Sequence, residues 1–480
     1  MKSFKANILK SAATLFLAFC TGSSFALVKP ASVFTDHMVL QQKTEVAVWG
    51  WAKSNSMVTL TASWDKKKYS GKADVNGKWK IKITTPKAGG PYEMSISDGV
   101  ALTLKDILIG EVWFCGGQSN MEMPMKGFKS QPILGSNEAI LKSANTQIRL
   151  YTVPRSSITE RQDNSKPSDW KVASPETVSN FSATAYHFGK LLSEMLGVPV
   201  GLINDSYGGS TVEAWMSPEL LKSFPEIKVP LKTDSIKVVN QTPTTLYNGM
   251  LYPVMGYGIR GAIWYQGESN QSRPDRYEDL FPAMVKEWRS VWGMGEFPFY
   301  YAQIAPYRYV KSENMQTAGK LNSAFLRDAQ RKSMAKISNS GMAVLMDIGE
   351  ELCIHPANKE KGGQRLAYLA LGNTYGIKGF VCASPEYESM SVKEGSVTVK
   401  FKNAPNGLTS FSKPLTLFEV AGADRVFLPA KAVLSGSSIT VSSEAVPVPV
   451  AVRYAFKDFV IGDLYSNEGL PVSSFRTDDW

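Results

Sequence analysis

The chain has 480 residues, 43% of them hydrophobic and 20% charged, a balance that fits two or three packed domains and excludes a disordered protein. Its formal net charge of +10 is spread along the sequence without a long basic run, which excludes a nucleic-acid-binding stripe. With three histidines, four cysteines and no Cys-x-x-Cys pair, neither a structural zinc site nor a disulfide scaffold is expected, and no cofactor or metal is predicted.

Residues 1–26 read as a signal peptide. Lys2, Lys5 and Lys10 precede the apolar stretch Ala12 to Phe19, which is too short to span a bilayer, and Ser24-Phe25-Ala26 offers small residues for cleavage. Cys20 would permit a lipoprotein, but bulky Phe19 precedes it where a small residue is wanted. No other apolar run is long enough to span a bilayer, so an exported protein, periplasmic or extracellular, is expected.

Residues 27–105 carry short β-rich runs, among them Val46 to Trp49 and Met57 to Leu60. Asn76-Gly77, between Lys72-Ala73-Asp74 and the alternating run Trp79 to Ile83, predicts a hairpin, and the region reads as an N-terminal β-sandwich. Residues 106–375 change pattern. Glu111 to Cys115, Val198 to Ile203, Gly261 to Tyr265, Phe297 to Ile304 and Met342 to Ile348 are apolar runs of buried parallel strands. Tyr186, Phe188, Leu191, Leu192 and Met195 recur at helical spacing between them, as do Leu280, Met284, Val285, Trp288 and Trp292. The alternation predicts an α/β domain, a doubly wound parallel sheet covered on both faces. Residues 376–480 return to strands, including Ser396 to Phe401, Leu415 to Val420, Ser438 to Val441 and Val450 to Tyr454, and predict a C-terminal all-β domain.

Ligands of an open α/β sheet bind beyond the carboxyl ends of its strands. Four segments there are unusual: Cys115 to Met121, Asn204 to Ser210, Gln266 to Asn270, and Asp347 to Pro356, which ends on a histidine. Acyl transfer needs a hydroxyl nucleophile, a base in reach and donors for an oxyanion. Ser119 sits on a glycine-led turn that exposes its side chain and frees its backbone N–H. Gly208 can aim a second N–H at the same point, and Gln266 offers a side-chain amide. Elimination selects His355 as base, because His37 lies in the N-terminal β-region and His187 in an apolar helix.

These blocks carry a resemblance. Gly117-Gln118-Ser119-Asn120-Met121, Trp264 to Asn270 and Ile354-His355-Pro356 resemble the serine, third and histidine blocks of the sialate O-acetylesterase family of SGNH-type serine esterases. Tyr207-Gly208-Gly209-Ser210 with Glu213-Ala214-Trp215 resembles a Trp-Gly-Gly-Thr block of that family, with tyrosine and serine substituted. Asp36 to Gln41 and several C-terminal segments extend the likeness over nearly the whole mature chain. The resemblance implies a flavodoxin-like SGNH hydrolase domain that frees acetate from O-acetylated sialic acid. Relatives often carry Asp two residues before the histidine, where this chain has Cys353; a Ser119–His355 dyad with the imidazole oriented by a backbone carbonyl is therefore expected.

Other readings stand beside these. Glu268 and Asn270 are site supports, with Glu268 a buried structural carboxylate or a catalytic acid. Trp215 stacks on sugar or packs in the core. A Cys115–Cys353 bond is conceivable after export. The substrate is an O-acetylated sialoglycan or another acetylated carbohydrate such as xylan; a non-catalytic glycan-binding surface protein is the alternative of another class. Oligomeric state is not legible.

Overall fold

The computed structural model describes residues 28–309 and 322–480. The expected signal peptide lies outside the described residues.

The molecule is organised by one long strand, β1 (Ala101–Gly117). Its first six residues are mostly exposed or half-buried, whereas Ile107 to Gly117 are all buried, because the strand passes from a sheet packed on one face into one packed on both. The first part pairs antiparallel with Gly89–Ser97; the second lies between two parallel neighbours. The expected junction at 105/106 thus falls inside a single strand, and the N-terminal β-region shares a sheet with the region that follows.

The central strands are β2 (Asn145–Thr152), β3 (Lys171–Ala173), β4 (Val200–Ser206), β5 (Gly261–Tyr265), β6 (Phe299–Ala302) and β7 (Ser340–Ala343), in the order β3-β2-β4-β1-β5-β6-β7. All neighbours are parallel except β3, which runs antiparallel to β2. The sheet is therefore mixed rather than purely parallel. β2 escapes a search for apolar runs because Arg149 interrupts it. That side chain is buried and neutralised by Asp106 at 2.7 Å.

Five helices matter for the site: α1 (Ser119–Glu122), α2 (Ala183–Leu196), α3 (Pro274–Trp292), α4 (Ala324–Lys336) and α5 (Lys359–Leu369). The Ser182 hydroxyl caps α2 by accepting the Ala185 N–H, and Gly197 ends it in the left-handed region. α2 packs with α5 on one face of the sheet, and α3 with α4 on the other. Trp288 of α3 meets Trp264 of β5 edge to face, with ring centroids 5.3 Å apart.

In the N-terminal region Gly77 does adopt the left-handed turn, but its flanking strands do not pair. Lys68–Lys72 pairs with Met57–Ala62, whereas Lys78–Thr84 pairs with Glu45–Trp51 in a separate three-stranded sheet. Trp79, Ile81 and Ile83 are buried between the sheets, so the turn crosses the sandwich instead of closing a hairpin. The C-terminal region adds two four-stranded antiparallel sheets and docks on α4, where buried Arg327 bonds Ser474 and the Asp458 carbonyl.

Candidate active site

β1 ends on Gly116-Gly117, wedged between β4 and β5. A Cβ at Gly117 would lie 2.2 Å from the Tyr265 carbonyl oxygen, and its φ of +144° is one that glycine tolerates. The Gln118 amide oxygen accepts the backbone N–H groups of Gly267 and Ser269, tying the turn after β1 to the turn after β5. Ser119 opens α1 and keeps part of its surface exposed. As the first residue of a helix, its N–H has no intrahelical acceptor.

The loop that follows β7 returns His355 to this point. Its Nε2 lies 2.8 Å from Ser119 Oγ. Its Nδ1 lies 2.6 Å from the amide oxygen of Gln131, so the N–H donates there and leaves Nε2 free to accept the serine proton. The expected backbone carbonyl is thus replaced by a side-chain amide. Gln131 is held in a turn by reciprocal backbone bonds with Phe128, whose ring meets the imidazole edge on at 5.3 Å. No carboxylate near the histidine in sequence serves it. Asp347 pairs with Arg365, Glu350 accepts the Ala357 N–H, and Glu351 pairs with Arg308. Burial first, and the charge of Lys359 second, lower the His355 pKa to about 4, so the ring is neutral over most of the pH range.

Behind this pair lies a buried polar group. Asn120 donates its amide N–H groups to Glu268 and to the Ile354 carbonyl, and its amide oxygen accepts from the Lys359 ammonium. Burial raises the Glu268 pKa; burial lowers that of Lys359 to about 7 against the opposing pull of Glu268. Glu268 is thus a buried carboxylate bonded to Asn120, the residue after the nucleophile.

The other expected residues divide. Gly208 does stand beside the nucleophile: a Cβ there would come within 3.4 Å of Ser119 Cβ. Its N–H, however, donates to Glu122 Oε2 at 2.8 Å, and Arg155 holds the same carboxylate while stacking 4.5 Å over the Tyr207 ring. Gln266 requires correction as an oxyanion donor. It is fully buried, and its amide nitrogen is committed to the Ser210 carbonyl at 3.0 Å and Asn270 Oδ1 at 2.8 Å. Asn270 in turn accepts the Val212 N–H and donates to Glu213, so the two amides brace the turns after β4 and β5. Trp215 requires correction as a sugar platform. It is 0% exposed, its indole N–H donates to Ser210 Oγ, and its ring packs on Trp264. Cys115 and Cys353 are both free thiols.

Gln131, Lys359, Glu122 and Arg155 were absent from the sequence reading. Gln131 and Arg155 lie in irregular loops with no periodic signal. Lys359 carried one: a lysine in the first turn of a helix opposes the helix dipole. Among the described residues no group of three or more His, Cys, Asp or Glu could hold a metal ion, and no helix is long and apolar enough to cross a membrane.

Comparison with known proteins gives the family. The family described as "Carbohydrate esterase, sialic acid-specific acetylesterase" matches residues 109–369, just over half of the chain. The sialate O-acetylesterase of Mus musculus is 28% identical over 411 residues, covering 74% of this chain and 75% of the relative. That of Homo sapiens is 28% identical over 400 residues, with 75% and 74% covered. The crystal structure of a carbohydrate acetylesterase from Xanthomonas citri superposes with a TM-score of 0.85 at 34% identity, covering 94% of this chain and all of that one. The chain is an esterase and belongs to the sialic acid-specific acetylesterase family of carbohydrate esterases.

Proposed function

We propose that the protein hydrolyses O-acetyl esters on sialic acid through Ser119 as nucleophile and His355 as general base. The 2.8 Å contact between Ser119 Oγ and His355 Nε2 carries this reading. Oγ attacks the acetyl carbonyl while Nε2 takes its proton, giving a tetrahedral oxyanion. The Gln131 amide oxygen fixes the tautomer that makes Nε2 the acceptor. The Ser119 N–H stabilises the oxyanion, joined by the Gly208 N–H when the Glu122 carboxylate yields it. Collapse expels the sugar oxygen, which takes the proton from His355. Water, activated by the same imidazole, then splits the acetyl-serine and frees acetate.

The finer fold reading is a flavodoxin-like SGNH hydrolase region between N- and C-terminal β-regions, supported by the helices on both faces of the central sheet and by the site at its strand ends. Export to the periplasm or exterior is supported by the lysine-led apolar stretch within residues 1–26.

Acetate release is the test. Wild-type protein should deacetylate O-acetylated sialic acid faster than acetylated xylan; the reverse order would move the substrate to plant polysaccharide. Ser119→Ala should lower kcat by about 10⁴-fold or more without lowering the melting temperature. Activity within tenfold of wild type would remove Ser119 from its role.

A further inference from the structure

Lys359 is 2% exposed and lies at the N-terminal end of α5, where both burial and the helix dipole disfavour an ammonium. A side chain placed at such a disadvantage needs compensation, and here it comes from the hydrolytic machinery. The ammonium donates to the Asn120 amide oxygen, and Asn120 directly follows Ser119. The other end of the same amide donates to Glu268, after β5, and to the carbonyl of Ile354, which directly precedes His355. One buried amide therefore touches the nucleophile turn, the turn after β5 and the histidine loop, and Lys359 holds its oxygen end.

We propose that Lys359 is a positioning residue of the hydrolytic site: its ammonium clamps Asn120, and through it the Ser119 turn and the His355 loop, and places a positive charge beside the imidazole in the acid range. This rests on the Ser119–His355 reading above. The titratable groups around Lys359 come from two segments: Glu268 after β5, and Glu350 and Cys353 on the histidine loop; the Tyr265 ring centroid lies 5.8 Å from its nitrogen. The imidazole faces Lys359, the neutral amide of Gln131 and the Ser119 hydroxyl. Among the described residues, Lys359 is thus the cation that opposes protonation of His355. Its lowered pKa of about 7 leaves it charged throughout the acid range in which His355 titrates.

The experiment compares Lys359→Met, which removes donor and charge, with Lys359→Gln, which keeps an N–H for Asn120 and removes only charge. Both should move the acid limb of kcat/KM upward by about one pH unit, because the imidazole loses a repelling neighbour. Lys359→Met should also lower kcat by roughly 10²-fold with little change in KM, since the nucleophile loses its fixed placement. Lys359→Gln should recover part of that kcat. Folded variants whose acid limb coincides with wild type would overturn the proposal, as would a loss of kcat with the limb unmoved. In wild-type protein the His355 ring should titrate at about 4, and a value at or above the ordinary 6.5 would overturn it without any variant. Ser119→Ala separates the two readings: an inactive Ser119→Ala with an unmoved limb in the Lys359 variants rejects this inference alone.

Discussion

At the residue scale, the identity of the group behind the histidine decides the pH behaviour. A carboxylate on Nδ1 would stabilise the imidazolium and raise its pKa; the Gln131 amide orients the ring without that charge. With burial and Lys359 acting in the same direction, His355 stays neutral down to about pH 4. The acid limb of kcat/KM is therefore expected near that value, well below the range of an unperturbed histidine. Gln131→Glu should move the limb to higher pH, because a carboxylate favours the charged ring. Gln131→Ala should leave Nδ1 without its acceptor and lower kcat by about 10- to 100-fold. Rate profiles of the two variants check this, and a Gln131→Glu limb at or below wild type would show that the amide does not set the ring's basicity. Neither residue type nor spacing pointed to Gln131 in advance: it is one glutamine in an irregular loop more than 200 residues from the histidine it serves. Ser119 and His355 were legible because each follows a strand end and each has a chemistry that other residues of the chain cannot replace.

At the element scale, the turns after β1, β4 and β5 form one braced rim. Gln118 binds the turn after β5 through two backbone N–H groups. Gln266 and Asn270 link that turn to the one after β4. This makes Gln266 a support, so Gln266→Ala should lower stability by about 1–3 kcal/mol by stripping buried acceptors of their donor. A normal melting temperature with a strongly reduced kcat would return Gln266 to direct action on the oxyanion. Trp215 belongs to the same layer from below, packed on Trp264 and accepting the Trp288 indole N–H at its carbonyl. Trp215→Ala should cost about 3–5 kcal/mol of stability and leave KM unchanged in the protein that remains folded. A selective rise in KM would place the indole in contact with sugar. The sequence suggested Gln266 as an oxyanion donor and Trp215 as a sugar platform or a core residue because the blocks containing them border the site. Burial separates a residue in a site's wall from one on its surface, and burial is a property of the packed elements.

At the scale of the whole molecule, two histidines are held neutral by the fold. His187 in α2 and His355 both have pKa values lowered to about 4, chiefly by burial. Between the ordinary value of about 6.5 and about 4, these two rings bind protons in the unfolded chain that they refuse in the folded one, so their contribution to stability falls as pH falls through that window. Urea midpoints at about pH 7 and about pH 5 test this. His187→Gln should lessen the loss between the two pH values relative to wild type, and a variant whose two midpoints differ as much as those of wild type would show that the His187 ring is not held neutral. The strand β1 sets the molecule's larger organisation. It carries one sheet from the N-terminal β-region into the centre and ends at the nucleophile. A boundary drawn from a change of sequence pattern at 105/106 marks where that strand goes from one covered face to two; it does not mark a break in the chain's structure. What the sequence determined by itself was whatever depends on local pattern: the apolar runs of β1, β4 and β5, the helices before β4 and β6, the return to strands after 376, and the half-buried serine and histidine that follow strand ends. Tertiary structure alone decided which partners distant segments find. It paired the strands flanking Asn76-Gly77 with different sheets, buried Arg149 of β2 against half-buried Asp106, turned Trp215 and Gln266 inward, and brought Gln131 and Lys359 to the site. Hydrophobic periodicity reports which face of an element is buried, but the hydrogen-bond and charge partners of a polar side chain depend on what the other elements place beside it.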